Sequence, residues 1–160
     1  MGEANRKEAV AALHRAQIMT AAEKLFSEKG YEQTTIEDIS REAEYSRRTI
    51  YTYYESKEDI LHRIIEKGLQ ALKTDIENAV KDNAGFVDAY RAVCGAMSRY
   101  RREYPHSLGR LNRSGDEEIG QAVKSAAVKN ILRLDTEINE TLEALIIRGQ
   151  ENGEVRKDIV

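Results

Sequence analysis

Between residues 34 and 57, three hydroxyl side chains recur ahead of short apolar patterns, and this spacing constrains the fold more than any other feature of the chain. The segment reads TTIEDISREAEYSRRTIYTYYESK. Ser and Thr side chains accept hydrogen bonds from the free N–H groups at helix starts. The candidate caps are, in order, Thr34 or Thr35, Ser46 and Ser56. The segment therefore predicts two short helices joined by a tight turn and followed by the start of a third.

Two further patterns support this prediction. Thr34 with Glu37, and Ser56 with Asp59, have the spacing of capping boxes. Apolar residues recur at helical intervals, so each short helix has one inward face. They are Ile36, Ile39, Ala43, Ile50 and Tyr54. This layout is typical of a helix-turn-helix, whose second helix is presented to the DNA major groove. The outward face of that helix would carry Arg47, Arg48, Thr49, Tyr51, Thr52 and Tyr53.

A longer run of residues, from Gln17 to Lys57, points to a known family. The matching positions are Ala21, Ala22, Leu25, Phe26, Gly30, Thr34, Thr35, Ile39, Ala43, Ser46, Thr49, Tyr51, Tyr53, Lys57 and Glu58. In order and spacing they resemble the DNA-binding domain of the tetracycline-repressor (TetR) family of transcriptional regulators. This agreement is far more specific than a single short motif.

The chain departs from the family pattern at three positions. Glu44 stands where the family usually has Gly, and a non-Gly residue forced to positive φ costs roughly 1 kcal/mol. Tyr45 replaces a small apolar residue. Tyr54 replaces Phe and adds a hydroxyl that needs a partner or water. None of these changes removes a side chain from the outward face.

Composition predicts an all-α protein. The chain has 160 residues, 41% of them apolar, and a single proline, Pro105. The predicted architecture is an N-terminal three-helix helix-turn-helix domain over residues 1–56 and a C-terminal helical bundle over residues 57–160. The resemblance implies that the bundle binds an effector and forms the dimer. The family usually has two further helices that make most of the dimer interface, so either the chain is incomplete or another surface is used.

Helix bounds follow from periodicity and from breaks. The first helix is predicted from Lys7 to Glu28, with a stop at Gly30. A long amphipathic helix follows Lys57 and ends at a polar break over residues 81–85. A further helix ends at Pro105, and a short segment, 108–111, leads into a loop over 112–115. The last helix is predicted over 116–152, with Gly153 as its stop.

Cysteine count, hydrophobic runs and residue spacing argue against several classes of protein. The single cysteine, Cys94, cannot form an intramolecular disulfide, and no apolar run approaches the roughly 20 residues that span a bilayer. No leader-like block opens the chain, so the sequence predicts a cytoplasmic protein without a membrane partner. The three histidines lie apart at His14, His62 and His106, which argues against a metal site. No catalytic triad or phosphate loop is recognisable, and neither an enzyme nor a cofactor is predicted.

Charge supports DNA binding through its distribution. Residues 1–57 hold nine Lys or Arg and ten Asp or Glu, so the segment has no basic excess. The basic residues gather at the proposed contact surface, which makes binding salt-sensitive. The predicted DNA-contacting residues are Thr35, Ser46, Arg47, Arg48, Thr49, Tyr51, Thr52, Tyr53 and Lys57. Lys57 at a helix start is suited to a phosphate. Solvated surface charge, and a partly structural Tyr51, are the alternatives.

The second half offers a weaker candidate site. Tyr90, Cys94 and Met97 recur at helical spacing, which fits either the core or an effector pocket. The resemblance implies a homodimer that binds palindromic double-stranded operator DNA. It further implies release of a repressor by a small hydrophobic or aromatic effector that moves the helix starting near Lys57. The alternatives are a regulator controlled by a protein partner, and a helical interaction protein.

Overall fold

The computed structural model describes residues 2–105 and 125–158, and these residues form six α-helices and no strand. The helices are α1 Glu3–Lys29, α2 Ile36–Ala43, α3 Arg47–Tyr53, α4 Lys57–Asp82, α5 Phe86–Glu103 and α6 Ala126–Glu151. The all-α prediction is therefore confirmed. The predicted segment at 108–111, the loop at 112–115, His106 and the first part of the last predicted helix lie outside the described residues.

The chain divides into two compact units. The N-terminal unit is Met1–Ile64 and the C-terminal unit is Ile65–Val160. Helix α4 contributes residues to both. The functional domain boundary at 56/57 stays a prediction.

Helix α1 is longer than predicted and begins at Glu3 rather than Lys7. Its N-cap, Gly2, has no side chain that could accept a hydrogen bond. The Arg6 N–H donates to the Gly2 carbonyl at 3.4 Å. Residues 3 to 6 include neither proline nor glycine, so nothing in this segment ends the helix before Glu3. The stop is as predicted: Gly30 has φ 86°, a value that glycine adopts without a Cβ penalty.

The core of the N-terminal unit forms where α1 contacts α2 and α3. Its fully buried side chains are Ile18, Ala22, Phe26, Thr34, Ile39, Ile50 and Ile60. Thr34 is the polar member of this group, and its hydroxyl donates to the carbonyl oxygens of Gly30 (2.8 Å) and Leu25 (3.3 Å). The Thr34–Glu37 capping box predicted from spacing is therefore wrong, because the Thr34 side chain points into the core.

The ends of α4 and α5 follow local chemistry. Helix α4 ends at Asp82, inside the predicted break, and the Asn83 side chain donates to the Ala79 carbonyl at 2.8 Å. Helix α5 ends at Glu103, with Tyr104 outside the helical region. The residue before a proline is disfavoured in the α region, so Pro105 accounts for this end.

Helix α6 begins later than predicted. Ser125 has extended backbone angles, φ −78° and ψ 142°, and its side chain accepts a hydrogen bond from the Val128 N–H. A continuous helix over 116–152 is therefore wrong, because an N-cap interrupts it. The end is as predicted, with Asn152 as C-cap and Gly153 at φ 76°.

Glycines allow close packing in the C-terminal unit. A Cβ built on Gly149 of α6 would lie 2.7 Å from Phe86 Cδ2 and 2.7 Å from Val155 Cγ2. The Glu154 carboxylate accepts a hydrogen bond from the Phe86 N–H at 2.9 Å. Helix α5 has no side-chain N-cap of its own, so the turn after α6 supplies the acceptor at its start.

Candidate nucleic-acid interface

Helix α3 is the candidate reading helix, and its start is built as the sequence predicts. Ser46 is extended, and its Oγ accepts a hydrogen bond from the Thr49 N–H at 3.0 Å. The Ser46 and Thr49 hydroxyl oxygens lie 2.8 Å apart, and the Thr52 hydroxyl donates to the Arg48 carbonyl at 3.0 Å. These three hydroxyls stabilise the helix itself, so any contact with DNA would be a second role.

The turn before α3 adopts the predicted left-handed conformation. Glu44 has φ 58° and ψ 32°, the one positive φ among the described non-glycine residues. The Tyr45 N–H donates to the Ser40 carbonyl at 3.1 Å, and the Ser40 hydroxyl donates to the Tyr45 carbonyl. These bonds hold a tight turn that glycine would adopt more easily.

One face of α3 is open to solvent. Arg47, Arg48, Tyr51 and Thr52 are exposed, and Tyr51 retains 49% of its accessible surface. The Arg47 Nε lies 3.8 Å from a carboxylate oxygen of Glu37 on α2. Both side chains are largely exposed, so this pair is weak and its arginine can exchange the carboxylate for another anion.

Tyr53 is not part of the open face. Its hydroxyl lies 2.8 Å from His14 Nδ1 on α1, and the Arg15 guanidinium lies 5.7 Å from its ring centroid. The predicted outward orientation of Tyr53 is therefore wrong. A helix of two turns cannot expose every polar residue, and this one faces α1.

Lys57 is bound within the N-terminal unit. Its ammonium donates to the carbonyl oxygens of Tyr31 and Thr34, both at 2.9 Å, and lies 4.1 Å from the Tyr31 ring centroid. Burial lowers the pKa of the Lys57 ammonium below its usual value. Two of the three donors of the Lys57 ammonium are therefore used within the N-terminal unit. Its phosphate contact stays a prediction that relies on the third.

Thr35 caps α2 through a complete capping box. Its Oγ1 accepts from the Asp38 N–H at 3.1 Å, and the Thr35 N–H donates to the Asp38 carboxylate at 2.8 Å. Hydrogen bonds from Lys29, 2.6 Å away, and from Thr35 hold the pKa of Asp38 well below its usual range. Thr35 therefore has a structural role, and its phosphate contact remains a prediction.

Among the described residues, the predicted effector residues lie on the exposed side of α5. Tyr90 is 55% exposed, Met97 is 40% exposed and Cys94 is exposed. The buried face of α5 consists instead of Ala89, Val93, Ala96 and Tyr100. The placement of Tyr90, Cys94 and Met97 in the core is therefore wrong, whereas their role in an effector pocket stays a prediction. Other positions of the same helix form its buried face, so these three side chains lie on the exposed side.

A groove of about 480 Å³ lies in the C-terminal unit along α4 and α6. Its lining residues are Lys73, Glu77, Val80, Glu137, Glu140, Thr141, Ala144, Leu145 and Arg148. The Lys73 ammonium lies 2.6 Å from Glu77 and 3.7 Å from Glu137, and these carboxylates raise its pKa. The lining thus combines apolar side chains with charged groups, of which Lys73, Glu77, Glu137 and Arg148 already have partners.

Two functional candidates escaped sequence reasoning, namely His14 and Gln17 on α1. His14 contacts Tyr53, the last residue of α3, and Gln17 contacts Tyr45 before it, at separations of 39 and 28 residues. The departure at Tyr45, whose hydroxyl needs a partner, was a signal for Gln17, and the sequence held no comparable signal for His14. Within residues 2–105 and 125–158, no three His, Cys, Asp or Glu side chains group as metal ligands. No helix of that part of the chain is long and apolar enough to cross a membrane.

Comparison with known proteins gives consistent matches. Residues 18–64 match the family described as bacterial regulatory proteins of the tetR family. HbdR from Aromatoleum sp. (strain CIB) is 38% identical over 86 residues, 54% of this chain and 36% of that protein. YfiR from Bacillus subtilis (strain 168) is 44% identical over 93 residues, 58% of this chain and 42% of that protein. The matched segments thus span less than half the length of these two relatives.

A solved structure matches over most of both chains. PfmR from Thermus thermophilus, a TetR family transcriptional regulator, has 30% sequence identity and a TM-score of 0.69. The match covers 88% of this chain and 74% of PfmR. The capped helix-turn-helix, the helical C-terminal unit and these matches agree: the chain belongs to the TetR family of transcriptional regulators.

Proposed function

We propose that this chain is a sequence-specific DNA-binding transcriptional regulator that reads double-stranded DNA with α3. One observation carries the proposal: a capped helix-turn-helix unit exposes Arg47, Arg48, Tyr51 and Thr52 on one face of its second helix. A helix fits the major groove, where each base pair presents a distinct pattern of donors and acceptors.

The exposed side chains suit both bases and phosphates. An arginine fork can donate two hydrogen bonds to guanine O6 and N7, and it binds phosphate equally well. Tyr51 can donate its hydroxyl to the DNA backbone. Since the first 57 residues have no basic excess, affinity depends on this local cluster and should fall steeply with salt.

We further propose a homodimer that binds a palindromic operator. Two copies of α3 related by a two-fold axis would enter major grooves about 34 to 36 Å apart. Repression is the favoured outcome of binding. NicS from Pseudomonas putida, 28% identical over 145 residues, is named a transcriptional repressor.

A small effector would control DNA binding through the C-terminal unit. The groove along α4 and α6 supports this proposal, because its volume suits a small molecule. Val80, Ala144 and Leu145 would contact an apolar or aromatic body, and Arg148 or Glu140 would contact a polar end. Because α4 contributes residues to both units, the effector would act on DNA affinity through α4.

A second candidate keeps the DNA function but replaces the effector with a protein partner. Val87, Tyr90, Cys94 and Met97 lie exposed along α5 at helical spacing. An exposed apolar stripe of this kind is typical of a surface that another helix covers. Control by binding at α5 is therefore the alternative to control by a small molecule.

The test is selection of duplexes from a randomised DNA pool with the 160-residue protein, followed by affinity measurement. We expect an enriched inverted repeat. Arg47→Ala and Tyr51→Ala should each weaken binding by about 1 to 3 kcal/mol, because each removes an exposed contact group. Helical content, measured by circular dichroism, should not change.

Arg91→Ala and Tyr90→Ala are the matched controls, because both residues are exposed on α5, outside the reading helix. They should leave DNA affinity as in the wild type. Absence of any enriched duplex, or wild-type affinity in both α3 variants, would remove the proposed function.

A further inference from the structure

Three tyrosine hydroxyls at the two ends of α3 bind a single turn of α1. The Tyr45 hydroxyl, before the helix, donates to Gln17 Oε1. At the C-terminal end, the hydroxyl of Tyr53, the last residue of α3, lies 2.8 Å from His14 Nδ1, and the Tyr54 hydroxyl donates to the Arg15 carbonyl at 2.9 Å. The partners span only residues 14–17, whereas the tyrosines bracket the whole reading helix.

The His14 ring connects the two ends. Its centroid lies 5.1 Å from that of Tyr45 and 5.6 Å from that of Tyr53, with the second pair edge-on at 76°. Tilted and edge-to-face aromatic pairs are favourable at these distances. His14 therefore contacts the residue before α3 and the last residue of α3 at once.

The Tyr54 contact is the most buried of the three. Its side chain is almost fully buried, and burial raises the pKa of the hydroxyl to about 12. The hydroxyl, protonated at neutral pH as tyrosine hydroxyls ordinarily are, donates to the Arg15 carbonyl. This is the position where the chain departs from the Phe of the family pattern.

Apolar packing alone leaves the orientation of α3 weakly determined. The helix has seven residues, and Ile50 is its one buried residue. A single buried side chain resists withdrawal of a helix, but it opposes rotation about the helix axis poorly. Hydrogen bonds at both ends supply that restraint, because each has a preferred direction and length.

We propose that residues 14–17 of α1, with Tyr45, Tyr53 and Tyr54, form a clamp that sets the orientation of the reading helix. The inference rests on the proposed DNA-binding function and deepens it. His14 and Tyr53 are positioning residues, which determine base preference without touching a base. This assignment differs from the direct contact with DNA that the sequence predicts for Tyr53.

The test is a double-mutant cycle of His14→Ala and Tyr53→Phe on the enriched duplex and on a scrambled duplex. Each single change should weaken binding to the enriched duplex by about 2- to 12-fold, the range for loss of one hydrogen bond. The affinity of the double variant should equal that of the single variant that binds less tightly, since both changes break the same contact. Affinity for the scrambled duplex, and the salt dependence of binding, should not change.

Two further variants separate positioning from general destabilisation. His14→Asn places a polar atom near the position of Nδ1 and should restore most of the preference for the enriched duplex. Leu13→Ala alters an adjacent α1 residue that is 56% exposed, and it should behave as the wild type. A loss of preference in Leu13→Ala equal to that in His14→Ala would overturn the clamp.

A second readout needs no DNA. Hydrogen–deuterium exchange at residues 45–54 should accelerate in His14→Ala but not in Leu13→Ala, because α3 loses an anchor. Unchanged exchange overturns the clamp even if no duplex is enriched. If duplexes are enriched and Tyr53→Phe weakens binding to the enriched and the scrambled duplex equally while His14→Ala has no effect, Tyr53 contacts phosphate directly. The clamp is then wrong although the proposed function stands.

Discussion

The two units obtain their order by different means. In the N-terminal unit, α2 has eight residues and α3 has seven, and both carry side-chain N-caps. In the C-terminal unit, α5 has 18 residues and α6 has 26. Helices of fewer than about 12 residues are marginal by themselves. The short helices therefore depend on caps and tertiary hydrogen bonds, whereas the long ones depend on their packed faces.

This contrast predicts where each unit is vulnerable. Loss of one polar contact should affect the N-terminal unit more strongly. Loss of close approach between elements should affect the C-terminal unit more strongly, since glycine there meets aromatic rings: a Cβ on Gly68 would lie 2.9 Å from Tyr104 Cδ1. Three measurements test the contrast, from the largest expected effect to the smallest.

Gly149→Ala should produce the largest effect. The added methyl group would overlap Phe86 and Val155, so we expect a loss of about 1 to 3 kcal/mol of unfolding free energy in denaturant titration. Gly95→Ala is the matched control on α5, where the nearest atom would be Arg99 Nη1 at 3.9 Å. It should raise stability by up to about 1 kcal/mol, because alanine favours helix. Equal effects of the two changes would contradict the packing argument.

Ser46→Ala and Ser125→Ala compare the same cap on a short helix and a long one. Both serines accept an N–H three residues ahead. Ser46→Ala should lower the unfolding free energy by about 1 kcal/mol, because α3 has only about two turns and cannot lose the first. Ser125→Ala should cost no more than about 0.5 kcal/mol, because α6 can lose its first turn and keep the rest. A larger loss of unfolding free energy in Ser125→Ala than in Ser46→Ala would mean that short helices do not depend on their N-caps more than long ones.

Glu44→Gly should produce the smallest effect, with the opposite sign. Relief of the left-handed conformation is worth about 1 kcal/mol, and the added freedom of the unfolded chain offsets part of it. We expect a slight rise in melting temperature and no change in DNA preference. Glu55→Gly, in the segment between α3 and α4, is the control and should lower the melting temperature. A clear loss of stability in Glu44→Gly would show that the turn needs more than backbone freedom.

Features fixed by near neighbours could be predicted from the sequence. The Ser46 cap, the positive φ at Glu44 and the helix stop at Gly153 each depend on atoms within a few residues. Their chemistry is local, so residue type and spacing are sufficient. The same reasoning chose the wrong threonine for the capping box, since Thr34 and Thr35 are equivalent by spacing and only the core distinguishes them.

Side-chain direction on a short or amphipathic helix could not be predicted in the same way. Helical periodicity grouped Tyr90 and Met97 with the core, yet Ala89, Val93, Ala96 and Tyr100 form the buried face of α5. Tyr53 and Lys57 were predicted to face DNA, yet their polar atoms bind α1 and the Tyr31–Thr34 loop. The outcomes for Tyr53 and Lys57 depend on partners 23 or more residues away, and spacing along one helix carries no information about such partners.

The sequence by itself determined the family, the six described helices in outline and the short capped helices that define the motif, because these depend on local hydrogen bonds and periodic burial. The tertiary structure alone decided which side chains of α3 remain exposed and able to contact DNA. His14 and Gln17 satisfy tyrosine hydroxyls that no local group can reach, and a buried or half-buried hydroxyl needs a partner wherever the fold provides one.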